Sequence, residues 1–259
     1  LLKNNNYDII HAHYSFSAFC ASLAGAKPLV VTFMGSDVKA NFFNKYLIRF
    51  FAFFYQWQNL IVKSEDMKKT LGMKKVHVIP NGVDLHMFVP MDKRKCQEQL
   101  GWDEEKKHIL FPANPIRYEK NYVLALQSIK SLDDINLELH YFENVSHLQT
   151  PLWYNAADVI LLTSLWEGSP NAIKEAMACN KSIVATNVGD IELLFGKEDG
   201  FYITKFNEKD CSKNIKQAFD FLHNKTNTKG RDRLIAIRQD DVSIAKRIYD
   251  LYNNIINKL

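Results

Sequence analysis

The chain has 259 residues, which is enough for one large domain or two small ones. Hydrophobic residues make up 47% of it, so a substantial core is expected, and 33 Lys and Arg against 29 Asp and Glu leave a net charge of +4, too small to indicate nucleic-acid binding. The cysteines lack the paired spacing of a zinc site, and no apolar run is long enough to span a bilayer, so we expect a cytoplasmic protein with reduced thiols.

Apolar runs alternate with helical stretches in the first part of the chain. The predicted strands and helices are, in order, 7–12, 17–26, 29–33, 38–55, 60–62, 65–71 and 76–79. Such alternation predicts a parallel sheet with helices on its faces. The turn sequence Ile-Pro-Asn-Gly-Val-Asp at 79–84 closes this domain, and we place its boundary near Pro90, so that the first domain is 1–89.

Two histidines, His11 and His13, stand at the end of the first predicted strand. A histidine inside a buried strand is more often a hydrogen-bonded core residue than a functional one. His13, however, lies where the strand meets a loop, which makes it the better candidate for a site.

Residues 41–57 are dense in aromatic side chains, with Lys45 and Arg49 among them. We favour a helix packed onto the sheet. The alternative is that Phe43, Tyr46 and Phe50 dip into an anionic membrane surface, and spacing does not decide because the stretch is apolar nearly all round.

A second alternating pattern follows. Its predicted strands and helices are, in order, 96–100 (a short helix), 107–112, 136–142, 159–162, 171–179, 182–186, 201–204, 208–223 and 231–239. They predict a second parallel sheet in a domain at 90–240. A terminal helix at 241–259 carries an apolar stripe suited to packing back onto the first domain.

The loop at 163–170 separates a buried strand from a helix. Ser169 is expected to be the N-cap and Pro170 the first helical residue. Amides of a first helical turn lack partners within the helix, and the helix dipole favours an anion there. Glu167 precedes the helix, and Glu175 in its second turn is suited to accept hydrogen bonds from ribose hydroxyls. The alternative is a capped surface helix with two solvated acids.

Another polar junction lies at 114–121, after the strand predicted at 107–112. Arg117 and Lys120, three residues apart, can clamp a diphosphate, with a planar fork from Arg and a point charge from Lys. Neutralising the charge that builds on a departing nucleoside diphosphate is a strong source of catalysis. The alternative is two solvated bases at a helix start.

Seven residues separate Glu167 from Glu175, in the setting E-G-S-P-N-A-I-K-E. This resembles the signature of retaining, nucleotide-sugar-dependent glycosyltransferases of the GT-B fold, the group 1 family. The flanking AADVILLTS and IVATNVGDIE and the earlier I-P-N-G-V-D agree. The resemblance implies an α/β protein of two Rossmann-like domains whose parallel sheets face across a cleft. It also implies that the first domain is incomplete, because the N-terminal strands of the family are missing.

The resemblance further implies roles for individual residues. Glu175 would hold the ribose, Glu167 would contact the donor sugar, and His13 would reach the sugar from the first domain. Arg117 and Lys120 would assist departure of the diphosphate. The backbone around the helix start and the later glycine would contact the donor at Gly168, Ser169, Pro170, Asn171, Ala172 and Gly189.

Two departures from the family pattern weaken parts of this assignment. Met34 stands where the family usually has a histidine. Pro115 occupies the usual position of the arginine, so Arg117 is displaced.

The predicted function is transfer of a sugar, with retention, from a UDP- or GDP-sugar to a hydroxyl of a glycan or lipid-linked acceptor. No cofactor or metal is required, and no Asp-x-Asp motif occurs to hold a metal. We expect this in bacterial surface polysaccharide or lipopolysaccharide synthesis, at the inner face of the cell membrane and without nucleic acid. The alternative is a non-catalytic nucleotide-sugar-binding remnant or partner subunit.

Three other enzyme classes fit less well. A dinucleotide-dependent dehydrogenase would need G-x-G-x-x-G, and no G-x-G occurs. A nucleotide-sugar epimerase of related architecture explains the pair Glu167 and Glu175 less well. A glycoside hydrolase would need a second acid opposite these two.

Overall fold

The computed structural model describes residues 7–39, 42–134, 136–225 and 227–258. The chain divides into two compact units. The first comprises Leu1–Gly82, Glu167–Ser169 and Val242–Leu259, and the second comprises Val83–Trp166 and Pro170–Asp241.

The division between the units falls after Gly82, earlier than the predicted boundary at residue 89. The amide of Val83 donates to the carbonyl of Gln239 (3.1 Å), and the amide of Asp241 donates to the carbonyl of Val83 (3.1 Å). Phe88 is buried in the core of the second unit. These contacts attach the segment from Val83 onward to the second unit.

The first unit contains a four-stranded parallel sheet in the order β1-β2-β3-β4. Its elements are β1 (Ile10–His13), α1 (Ser15–Leu23), β2 (Leu29–Thr32), α2 (Ser36–Lys39), α3 (Phe42–Phe54), β3 (Asn59–Val62), α4 (Glu65–Leu71) and β4 (Val76–Val78). The central strands β2 and β3 are almost wholly buried, as expected for continuous apolar runs covered on both faces.

The terminal helix α12 (Asp241–Ile256) covers one face of this sheet. Its residues Ile244, Leu251 and Ile255 pack with Val30 and Ile61 of the central strands. Their spacing follows the helical period, so a single apolar stripe faces the sheet.

The predicted helix at 38–55 falls on α2 and α3, and residues 40 and 41 between them lie outside the described residues. The side chain of Asn44 donates to the backbone carbonyl of Asp37 at 2.6 Å and to the hydroxyl of Ser15 at 3.0 Å. These two hydrogen bonds join α3 to α2 and to α1.

The second unit contains a five-stranded parallel sheet in the order β6-β5-β7-β8-β9. Its elements are α5 (Lys93–Leu100), β5 (Lys107–Phe111), α6 (Tyr122–Lys130), β6 (Leu137–Tyr141), α7 (Thr150–Ala156), β7 (Val159–Leu162), α8 (Asn171–Ala178), β8 (Ser182–Thr186), α9 (Ile191–Phe195), β9 (Phe201–Thr204), α10 (Glu208–Asn224) and α11 (Gly230–Ala236). Two apolar clusters form its core.

Strands β7, β8 and β9 coincide with the predicted ranges, whereas α7 and α9 were not predicted. Both helices are short, at seven and five residues, so a helical period hardly develops in them. Within the described part of the chain, no helix combines the length and apolar character that crossing a membrane requires.

Candidate active site

The strand order of the second unit reverses direction at β5. From β5 the chain moves to β6 on one side and then to β7 on the other side. In open parallel sheets, ligands bind where the order reverses in this way, at the carboxyl ends of the strands. The loop after β5 contains Arg117 and Lys120, and the loop after β7 leads to the start of α8.

Hydrogen bonds join the loops at this edge. The buried hydroxyl of Thr163, just after β7, donates to the carbonyls of Lys120 (3.1 Å) and Asn121 (2.9 Å). The hydroxyl of Thr186, at the end of β8, donates to the carbonyl of Ser164 (2.7 Å). The loops after β5, β7 and β8 are therefore fixed to one another before any ligand arrives.

The two predicted cations differ in their surroundings. Lys120 is buried at the end of a short 3-10 turn, with 7% of its surface exposed. Arg117 is exposed, and its Nε donates to a carboxylate oxygen of Glu119 at 2.8 Å. Partial burial of Glu119 favours its neutral form, but hydrogen bonds and the charge of Arg117 outweigh this and lower its pKa. Because its guanidinium group is directed at Glu119, Arg117 is a weaker candidate than Lys120 for binding a diphosphate.

Helix α8 begins at Asn171, one residue later than predicted. Pro170 is its N-cap rather than its first helical residue, and the predicted N-cap Ser169 precedes it. Proline has no polar side-chain atom, so the N-cap residue does not cap the first-turn amides with its side chain. The tip of α8, with Asn171 and Ala172 in its first turn, is a favourable place for an anion.

The carboxylate of Glu175 is held in a fixed position on α8. The hydroxyl of Tyr154, a fully buried residue of α7, donates to one of its oxygens at 2.8 Å. The ring of His147 lies 3.5 Å from the other oxygen, and Phe88 packs edge-on against both rings. Burial and the charge of Glu175 raise the pKa of Tyr154 well above its usual range, so the phenol remains a donor. The carboxylate of Glu175 is therefore an oriented acceptor for ligand hydroxyls.

Gly189 lies in the loop between β8 and α9. Its φ of +65° is in the left-handed region that favours glycine. Thr186, three residues earlier, is bonded to the loop after β7. Gly189, which is predicted to contact the donor through its backbone, therefore lies in the same group of loops.

In the first unit, His13 ends β1 and is exposed, whereas His11 is committed to the fold. The ring nitrogens of His11 contact the hydroxyls of Thr32 (2.7 Å) and Tyr252 (2.5 Å). Burial lowers the pKa of both histidines, that of His11 to about 4, with Lys63 contributing. The ring of His13 stacks on that of His11 at 4.2 Å between centroids, so it is held in one orientation.

Lys63 and Asp37 are a buried pair in the first unit. Burial lowers the pKa of Lys63 to about 8 although Asp37 opposes this, and burial raises the pKa of Asp37. Asp37 accepts backbone hydrogen bonds from Met34 (3.0 Å), Gly35 (2.9 Å) and Ser15 (3.2 Å). Its role is to shape the loop after β2.

The short segment Glu167–Ser169 packs against that same loop. A Cβ added to Gly168 would lie 2.9 Å from the carbonyl oxygen of Met34 and 3.2 Å from the sulfur of Met67. A Cβ added to Gly35, which has a φ of +123°, would lie 3.1 Å from the amide nitrogen of Gly168. Glycine is required at position 168 because two backbones meet there, and this fixes where Glu167 and Ser169 lie.

Sequence reasoning missed Tyr154, His147 and Lys63. Tyr154 follows Leu152 and Trp153 and resembles an ordinary core residue. His147 lies in a short 3-10 turn before α7, with no motif around it in the sequence. Only the packing of α7 against α8 shows that these rings position Glu175.

Known families match both parts of the chain. Residues 1–87 match the model described as Glycosyltransferase Family 4, and residues 108–220 match Glycosyl transferases group 1. Two bacterial relatives align with the whole chain. One is the N,N'-diacetylbacillosaminyl-diphospho-undecaprenol alpha-1,3-N-acetylgalactosaminyltransferase of Campylobacter jejuni, at 26% identity over 80% of that protein. The other is the UDP-Gal:alpha-D-GlcNAc-diphosphoundecaprenol alpha-1,3-galactosyltransferase of Escherichia coli, at 27% identity over 78%.

Solved structures share the fold. Anabaena Alr3699/HepE, determined in complex with UDP and glucose, superposes with a TM-score of 0.78 over 96% of this chain and 78% of its own, at 17% identity. Sucrose-phosphate synthase from Thermosynechococcus elongatus superposes with a TM-score of 0.76 over 99% of this chain and 76% of its own.

The two parallel sheets and these structural matches show the GT-B fold, which confirms the predicted α/β fold class. The chain is a glycosyltransferase of the hexosyltransferase type, and its residues 108–220 match the group 1 model.

Proposed function

We propose that this enzyme transfers a hexose from a UDP-sugar to a hydroxyl of a lipid-linked glycan acceptor, in the synthesis of a bacterial surface glycan. The names of the two bacterial relatives support the acceptor class, since each acts on a diphosphoundecaprenol-linked sugar. The sequence left open whether the donor is a UDP-sugar or a GDP-sugar. The UDP bound in the HepE complex favours a UDP-sugar.

The observation that carries the proposal is the fixed carboxylate of Glu175 beside the tip of α8. Held by Tyr154, it would accept hydrogen bonds from the ribose hydroxyls. The diphosphate would lie at the helix tip, where backbone amides and the dipole favour it. Lys120 would neutralise the charge that develops as the diphosphate leaves.

The remaining predicted residues would surround the hexose. Glu167 would accept hydrogen bonds from sugar hydroxyls, and His13 would contact the sugar. Gly168, Ser169 and Gly189 would offer backbone groups.

The chemical step breaks the bond between the anomeric carbon and the phosphate oxygen and forms a bond from that carbon to the acceptor oxygen. We propose retention: the acceptor attacks on the face that the diphosphate leaves. The acceptor proton passes to the departing phosphate oxygen. The step as written balances without a metal or a redox cofactor.

The test measures binding of UDP and of UDP-hexoses by calorimetry, and UDP release with a diphospholipid-linked acceptor analogue. Glu175→Ala should weaken UDP binding about 10–100-fold, because a charged hydrogen-bond acceptor is lost and Tyr154 is left unsatisfied. Glu105→Ala, at an exposed carboxylate of the same unit, is the control and should bind like wild type.

Unchanged affinity in Glu175→Ala would refute the site. UDP-sugar binding without UDP release, across the hexoses and acceptors tried, would favour the alternative of a non-catalytic binding protein. Inversion at the anomeric carbon of the product would refute retention alone.

We further propose contact with the inner face of the membrane through α3. Its exposed aromatic side chains recur at helical spacing and leave a broad apolar surface: Phe43, Tyr46, Phe50, Phe53 and Phe54. An amphipathic surface of this kind buries aromatic rings at a lipid interface. An acceptor with a lipid tail would require such contact.

Vesicles containing phosphatidylglycerol test this proposal. Wild type should co-sediment with them, and Phe50→Ser with Phe53→Ser should release most of the bound protein while UDP affinity is retained. Phe16→Ser, at an exposed ring of α1 (59% exposed), is the matched control. Equal binding by all variants would contradict a membrane-facing α3.

A further inference from the structure

Three side chains with metal-binding chemistry converge on the edge of the second sheet. His108 lies on β5, and Glu138 and His140 lie on the edge strand β6. His108 pairs with Glu138 in the register, and His140 stands two residues further along β6, on the same face. Their ligand atoms all lie within 4.8 Å of one another.

The distances among these atoms match a coordination sphere. Nδ1 of His108 lies 2.9 Å from Nε2 of His140, and Oε2 of Glu138 lies 3.8 Å and 3.7 Å from those nitrogens. A point equidistant from three atoms so spaced lies about 2.0 Å from each, which is the length of a zinc–nitrogen bond. A cation fits there without movement of the backbone.

The surrounding contacts orient each ligand. Nε2 of His108 lies 2.8 Å from the backbone carbonyl of Asp103, an acceptor only, so this nitrogen carries the proton and Nδ1 presents its lone pair. Lys106 pairs with Oε1 of Glu138 and leaves Oε2 directed at the histidines. The ring of Trp102 stacks on His140, with centroids 3.5 Å apart and 8° between the planes.

We propose that His108, Glu138 and His140 bind one Zn²⁺ ion, at a site separate from the proposed transfer chemistry. Two imidazoles and one carboxylate are a common set of protein ligands for zinc, with water in the fourth position. His108 lies in the first half of β5, whereas the proposed donor crevice begins after that strand ends. The ion would join the edge strand β6 to β5.

A hydrogen-bonded cluster without metal is the competing explanation, in which Nε2 of His140 donates to Nδ1 of His108. It would need no zinc and would gain little stability from it. The two explanations differ in stoichiometric metal binding, which can be measured directly.

The experiment uses tag-free protein treated with a chelator and dialysed, and then titrated with ZnCl₂ by calorimetry. We expect one Zn²⁺ per chain with submicromolar affinity, and a rise in melting temperature as zinc is added, because the ion binds only the folded site. Glu138→Gln and His140→Gln keep similar shapes, and each should weaken binding at least 10-fold. His86→Gln, at an exposed histidine elsewhere in the second unit, should leave it unchanged.

Binding of Co²⁺ provides a spectroscopic check, since absorption in the visible range reports tetrahedral coordination by these ligands. Absence of stoichiometric zinc in wild type would overturn the proposal whatever the variants do. Equal zinc affinity in wild type and Glu138→Gln would overturn it as well. Neither result bears on UDP binding, so the test stands apart from that of the proposed function.

Discussion

The carboxyl ends of the two sheets carry different kinds of polar group. In the second unit, Glu175 and Lys120 accompany a helix tip, and the buried phenol of Tyr154 orients the carboxylate. In the first unit, burial works against charge: it lowers the pKa of His13 and of Lys63 and raises that of Asp37. Burial neutralises a group unless partners compensate. The second edge thus suits an ionic ligand, and the first suits hydroxyl groups.

The largest expected effect concerns Lys120. If the second unit binds the diphosphate, Lys120→Ala should lower the rate of UDP release about 100–1000-fold, as loss of one electrostatic contact in a transition state does. Arg117→Ala should change this rate less than about threefold, because exposed ion pairs contribute little. Steady-state kinetics of both variants measures these rates. A greater loss in Arg117→Ala than in Lys120→Ala would mean that Arg117, and not Lys120, neutralises the diphosphate.

Gly168→Ala tests the packing that places Glu167. The added Cβ would lie 2.9 Å from the backbone oxygen of Met34, so the melting temperature should fall, by an amount that corresponds to about 1–3 kcal/mol. Met34→Ala is the matched control, because it keeps that oxygen and removes only a half-exposed side chain. If calorimetric melting shows both variants at the wild-type temperature, the close approach of the two backbones is wrong.

Tyr154→Phe tests how much the orientation of the Glu175 carboxylate contributes to UDP binding, because the carboxylate itself remains. The ring and its packing remain, but the 2.8 Å hydrogen bond to the carboxylate is lost. UDP affinity should fall about 3–15-fold, less than in Glu175→Ala, since one net hydrogen bond contributes about 1 kcal/mol. Calorimetry checks this, with Tyr249→Phe, at an exposed tyrosine of α12, as the control. A loss as great as in Glu175→Ala would mean that the phenol contacts the ligand directly.

The smallest effect is a pH dependence in the first unit. Folding lowers the pKa of His11 from 6.5 to about 4, so between these values the unfolded chain binds more protons. The contribution of His11 to stability is therefore complete above pH 6.5 and is lost as the pH falls toward 4. Urea midpoints measured from pH 7.5 to 4.5 should fall less steeply in His11→Gln than in wild type. Identical slopes would contradict a buried, neutral His11.

Local patterns determined much of this protein. Apolar runs of four or five residues placed β7, β8 and β9, because strands buried on both faces must be apolar throughout. The spacing of Glu167 and Glu175, with its flanking residues, identified the family. The alternation of strands and helices in the sequence placed Lys120 and Gly189 in loops that follow strands.

Tertiary structure alone decided which polar groups meet. Tyr154, His147 and Glu175 are separated in sequence, and only packing of α7 against α8 joins them. Ion pairing of Arg117 with Glu119, and the meeting of Gly168 with the loop after β2, likewise depend on side-chain direction and on contacts between distant segments. Periodicity records which face of an element is buried, but it holds no information about the partner that covers that face.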